Sequence, residues 1–171
     1  MRQRPEVGSL LLVLGAVLVL AEAEPLGQNG PHRGPRIALV RPEPSPRVQN
    51  FGRFEVSFSV DDTRATFLHW PYDPAPPSGI PQGVGITVQG EFMDPKGRSY
   101  AQPAFHYQHF MDDIRNGRDW NYPTGEFVWK VRFTPNQVGA WKYRIVAQDR
   151  EGRVETAWRT FAVDPSSNRG F

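Results

Sequence analysis

Two short stretches repeat one pattern. Trp70-Pro71-Tyr72 and Trp120-Asn121-Tyr122 each set two aromatic rings two residues apart. Indole and phenol rings offer a flat apolar face with a polar edge. That chemistry suits a sugar ring, and it equally suits a protein surface. Asp73, Arg118 and Asp119 stand beside these rings as candidate hydroxyl partners. Trp70, Tyr72, Trp120 and Tyr122 are therefore the candidate carbohydrate- or partner-binding residues. Covering an open end of the fold, or docking onto a partner domain, is the plainer role, because interfaces select Trp, Tyr and Arg.

The other candidate groups are weaker. His106-x-x-His109 with Asp112 and Asp113 offers imidazole and carboxylate, which suit zinc or a similar divalent ion. On a strand, however, residues three apart point to opposite faces, so no metal is assigned. Asp112, Asp113, Asp119 and Glu126 cluster in sequence, as the paired carboxylates of a glycosidase would have to cluster in space. Gly83-Val84-Gly85 lacks the third glycine of a dinucleotide loop and leads into a strand. No cofactor is implied.

The whole chain narrows the choice further. Its 171 residues contain no cysteine, which excludes thiol catalysis, cysteine metal sites and disulfide staples. A net charge of +2 is too mild to argue for nucleic acid. Five Trp, five Tyr and eleven Phe can build an aromatic core. Residues 1–23 have the layout of an export signal: Arg2 and Arg4, an apolar run from Leu10 to Leu20, then Ala21-Glu22-Ala23. The apolar run is shorter than the ~20 residues of a membrane span. The expected location is secreted or periplasmic, with no membrane contact after cleavage. Residues 24–50 hold six prolines and are expected to form an arm, with Ile37-Ala38-Leu39-Val40 able to pair as an edge strand.

From residue 51 the hydrophobic period is two. Phe54, Val56, Phe58 and Val60 alternate with polar residues, as do Val84, Ile86, Val88 and Phe92. Phe127, Trp129, Val131 and Phe133 form a third set, with Val128 facing out. Trp141, Tyr143, Ile145 and Ala147 form a fourth, and Phe161 and Val163 close the chain. Such alternation predicts strands with one buried face. Residues 111–115 are expected to make a short helical turn. Asp94-Pro95-Lys96-Gly97 and Asp149-Arg150-Glu151-Gly152 predict tight turns. The expected fold is all-β: an immunoglobulin-like antiparallel β-sandwich of about seven strands over residues 51–171. Gly139-Ala140-Trp141-Lys142-Tyr143 matches the corner before strand F of such sandwiches, with Trp141 in the corner aromatic's place. Trp158 falls out of phase with Phe161 and Val163 and should face outward.

Several motifs in order resemble one family. They are Trp70-Pro71-Tyr72-Asp73-Pro74, Gly90-Glu91-Phe92-Met93-Asp94-Pro95-Lys96-Gly97, Phe105-His106-Tyr107-Gln108, Trp129-Lys130-Val131-Arg132-Phe133-Thr134-Pro135 and Val138-Gly139-Ala140-Trp141-Lys142-Tyr143. Together they resemble the immunoglobulin-like domain found at the N-terminus of secreted glycoside hydrolases, the apiosidase-like and related barrel enzymes. Trp70 stands where that family more often has Asn, and residues 75–83 make a longer connection. The resemblance implies a non-catalytic accessory module whose partner is a glycoside hydrolase barrel, in cis or in trans. The catalytic acids would lie in that barrel, which this chain lacks, and Asn168-Arg169-Gly170-Phe171 would be the exit towards it. The alternative is a stand-alone carbohydrate-binding module that holds a polysaccharide on its loop aromatics.

Overall fold

The computed structural model describes residues 34–40 and 43–167. The expected export signal and the Asn168–Phe171 exit lie outside the described residues. Ten strands are present: β1 (Arg36–Leu39), β2 (Arg47–Gln49), β3 (Phe54–Asp61), β4 (Thr87–Met93), β5 (Ser99–Pro103), β6 (Phe105–Arg115), β7 (Arg118–Phe133), β8 (Gly139–Asp149), β9 (Gly152–Glu155) and β10 (Arg159–Asp164). One sheet has the order β1-β3-β7-β6, and the other β2-β10-β8-β4-β5, with β9 beside β8. These orders correspond to the ABED and GFC sheets of an immunoglobulin sandwich. The chain is therefore an all-β sandwich with that topology.

The strand count exceeds seven for identifiable reasons. β1 is the expected edge strand and pairs antiparallel with β3, Ile37 opposite Val60. β2 was not foreseen; it runs parallel to β10, with Val48 opposite Val163. Pro44 and Pro46 precede it, and an edge is where proline-rich chain can still pair. β9 and β10 divide one sheet edge between them, against the far and near halves of β8. Thr156 bridges the break: its amide donates to the Ile145 carbonyl, and its hydroxyl accepts from the Ile145 amide.

The alternating residues meet in one core. Phe54, Val56 and Phe58 from β3 face Phe92, Trp141, Tyr143, Ile145 and Phe161 from the other sheet. Phe54 stacks on Phe161 with ring centroids 3.9 Å apart, and Phe92 on Phe133 at 4.0 Å. Trp141 fulfils its corner role, donating its indole N–H to the Gln137 carbonyl at 2.9 Å. This is the bond a corner tyrosine makes in antibody domains. Aromatic packing thus takes the place of a disulfide between the sheets.

Three local expectations are corrected. Residues 111–115 are strand, not a helical turn: they continue β6 and pair with residues 118–122. Their turn is Asn116-Gly117, both with positive φ (52° and 71°), the pair a two-residue type I′ hairpin requires. Phe127 is 56% exposed, whereas Val128 is buried. Phe127 keeps the face of Trp129, because the pairing from Phe105 with Lys130 to Gln108 with Phe127 is unbroken. The pairing of β3 with β7 ends at Trp129, however, so Phe127 lies past the sandwich and stacks on His106. Beyond it, at residues 124–126, the register shifts: Gln108 faces Phe127, but Phe110 already faces Pro123. Gly125 takes φ 79°, and the Thr124 hydroxyl donates to the His109 carbonyl.

The same register lets the β6–β7 hairpin outgrow its sheet. β3 pairs with β7 only from Trp129 to Phe133, while β6 follows β7 as far as Arg118. Most of the hairpin therefore runs on as a two-stranded ribbon.

Candidate functional site

A cleft of about 360 Å³ opens beside the first aromatic pair. Trp70, His69, Ile86, Pro103, His106 and Trp129 line it. The loop over residues 62–86 forms one wall. Buried Asp149 anchors its start, accepting from the Thr63 hydroxyl at 2.7 Å and the Arg64 amide at 2.9 Å. Two more bonds return the loop to β4: the Ile86 amide donates to the Trp70 carbonyl, and the Tyr72 amide to the Thr87 hydroxyl. The approach at Gly85 is so close that a Cβ there would lie 2.2 Å from the Pro71 carbonyl oxygen. Glycine is required at that point.

Trp70 is 45% exposed and stacks on Phe67 at 5.0 Å. It also borders a second, apolar cleft of about 230 Å³ with Pro76, Pro77, Ile80 and Pro81. The long connection over residues 75–83 thus builds a wall of its own. Tyr72 is half-buried, and Asp73 is spent on its own loop, accepting from the Ala75 amide at 2.8 Å.

His106 projects from β6 into the first cleft, 5.9 Å from His69 between ring centroids. It is stacked on Phe127 and tilted against Trp129, both at 5.2 Å. Burial lowers its pKa below the ordinary 6.5, and the neighbouring His69 lowers it further. The imidazole is therefore held neutral where a free histidine would begin to charge. The sign follows: the folded cleft loses stability as pH falls through 6.5, because the unfolded chain takes up the proton more readily. Tryptophan fluorescence between pH 8 and 5 should show a transition below pH 6.5 that His106→Phe removes. An unchanged transition in that variant would place the titration elsewhere.

The second pair stands apart from the first. Trp120 and Tyr122 lie on the ribbon, nine and seven residues along β7 from Trp129, or roughly 23–30 Å at ~3.3 Å per residue. Their cleft shares no lining residue with the one at Trp70. The expected four-ring platform is thus two separate surfaces.

The catalytic and metal candidates also disperse. His106 faces the cleft, while His109 sits at the register shift against Tyr107. Among the described residues, no three His, Asp or Glu side chains converge as metal ligands would. Asp112, Asp119 and Glu126 are exposed, and Asp113 is paired with Arg115. What the sequence reading missed is the ribbon itself. Its signal was Asn116-Gly117, the strongest short hairpin cue, hidden by treating the preceding residues as a helical turn.

No family model matches this chain, and no curated protein matches it.

Proposed function

We propose that this chain is a non-catalytic accessory module that docks onto a carbohydrate-active barrel of an exported glycoside hydrolase system. The observation that carries the proposal is the ribbon. A two-stranded hairpin is at best marginally stable alone in water, yet this one exposes apolar residues on both faces. Phe110, Pro123 and Ile114 share one face, and Ile114 is 74% exposed. Large apolar side chains held in the open on a projecting ribbon suit a partner surface, with Asp112 and Asn121 between the Phe110 and Pro123 pair and Ile114. The reverse face carries Met111, Trp120 and Tyr122. The class of partner rests on the family resemblance described above.

The sandwich supplies a rigid base for such a lever. On the outer surface beside the ribbon's root, Glu55 pairs with Lys130 at 3.0 Å and with Arg132. Lys130 lies over the Tyr107 ring, and Arg132 over Phe105. These contacts tie β3, β7 and β6 together where the ribbon departs.

Amide hydrogen exchange tests the proposal. In the chain alone, amides of residues 110–122 should exchange fast, while those of residues 129–133 stay protected. Adding an apiosidase-like catalytic barrel should slow the ribbon amides by about tenfold or more. Ile114→Asp should abolish that slowing and leave the core amides unchanged. A ribbon that exchanges equally with and without the barrel would overturn the proposal.

A further inference from the structure

The tip of the ribbon carries a surface that docking through Phe110 and Ile114 leaves free. Arg118, Trp120 and Tyr122 alternate along β7, so they share one face. Pairing across the hairpin adds Met111, Asp113 and Arg115 to that face. Arg115, Asn116, Arg118, Trp120 and Tyr122 line a shallow cleft of about 460 Å³. That volume is within the range of small-molecule sites. Trp120 is 47% exposed, so its indole is open to a ligand.

The charges on this face are unequal. Arg115 is paired with Asp113 at 2.5 Å and lies 5.6 Å from the Tyr122 ring centroid. Arg118 has no carboxylate partner among the described residues. A free guanidinium beside an open indole selects a ligand with two features: a flat ring with an apolar face, and an anionic substituent on or next to that ring. The guanidinium fork matches a carboxylate in two parallel bonds.

We infer that this face is a binding site for an acidic sugar chain, one whose rings bear carboxylates. Trp120 stacks on a ring, Arg118 takes the carboxylate, and Tyr122 and Arg115 extend the surface to the next ring. A single-stranded nucleic acid would also stack on these rings. However, it brings one phosphate per base and calls for a continuous cationic track. Here one guanidinium is unpaired, and Asp112 and Asp119 lie on the reverse face. The charge is matched to a sparse, ring-borne carboxylate instead.

Calorimetric titration of the full chain tests the inference. The probes are galacturonate, mannuronate and glucuronate oligosaccharides, their carboxyl-reduced counterparts, and a single-stranded oligonucleotide. At least one uronate should bind at millimolar concentration or below, about tenfold or more tightly than its reduced counterpart. Trp120→Ala and Arg118→Gln should each weaken it about tenfold or more, while circular dichroism and the thermal midpoint of Arg118→Gln stay as in the parent. Ile114→Asp, on the reverse face, should leave uronate affinity unchanged, which separates this site from the docking surface. Absence of binding to all three uronates, equal affinity for a reduced sugar, tighter binding of the oligonucleotide, or full affinity in Arg118→Gln would overturn the inference.

Discussion

Trp141→Ala should lower the stability of the sandwich by ~3–5 kcal/mol, the usual cost of deleting a large buried aromatic. The indole is fully buried and packs against Tyr100, Phe133 and Phe161. Its removal opens a cavity shared by both sheets, and it also leaves the Gln137 carbonyl without the indole donor. A domain of this size has only ~5–15 kcal/mol in hand, so much of the reserve would go. Urea unfolding should show a midpoint well below that of the parent. Trp141→Phe should recover part of the packing without the corner hydrogen bond, and so fall between the two. A midpoint unmoved by Trp141→Ala would contradict the assigned core.

Asp94→Asn should remove much of the acid sensitivity of the fold. Asp94 is one of two buried charged residues among those described. Its Oδ1 accepts from the Lys96 and Arg98 amides at 2.9 and 2.8 Å. Its Oδ2 accepts from Arg98 Nε, the Tyr100 hydroxyl and Gln137 Nε2. Burial pushes this carboxyl up, but the bonds from Arg98, Lys96 and Gln137 outweigh it and hold the pKa at about 2, against an ordinary 3.8. A depressed carboxylate contributes stability above its unfolded pKa and loses it as pH falls to the folded one. The contribution is thus present above about pH 4 and is lost as pH falls through about 2. The parent's urea midpoint should drop through that window. The Asn variant should start lower at pH 7 and fall less steeply. Some slope should remain, because Asp149 is depressed too: burial opposes this, and bonds from Arg64, Thr63 and Glu151 prevail. Parallel pH curves for parent and variant would count against the role given to Asp94.

The turn around Asp94 shows how much of the fold was legible in advance. Asp94-Pro95-Lys96-Gly97 reads as a tight turn, and it joins β4 to β5. The period of two likewise placed Phe54, Val56 and Phe58 of β3 and Trp141, Tyr143, Ile145 and Ala147 of β8 on the buried face, though Val146 is buried on the opposite one. The misreadings fall where the sandwich ends. Phe127 keeps the face of Trp129 but lies past the end of the pairing with β3, so it is exposed, while Val128 is buried on the opposite face. Trp158 does face outward, and it packs under the Arg144 guanidinium, 4.7 Å from its ring centroid. Arg144 itself is held by Glu91 and Glu155.

The aromatic pairs divide the same way. Composition and spacing identified Trp70, Tyr72, Trp120 and Tyr122 as surface rings, but not where each pair stands. Local alternation and turn chemistry depend on neighbours in the chain, so the sequence alone settled the fold class, the core strands and the corner at Trp141. Distances between loops depend on strand pairing across dozens of residues, and those were decided only in three dimensions. There, β7 outruns β3, a hairpin becomes a projecting ribbon, and one expected platform becomes a histidine-lined cleft and an arginine-edged aromatic face.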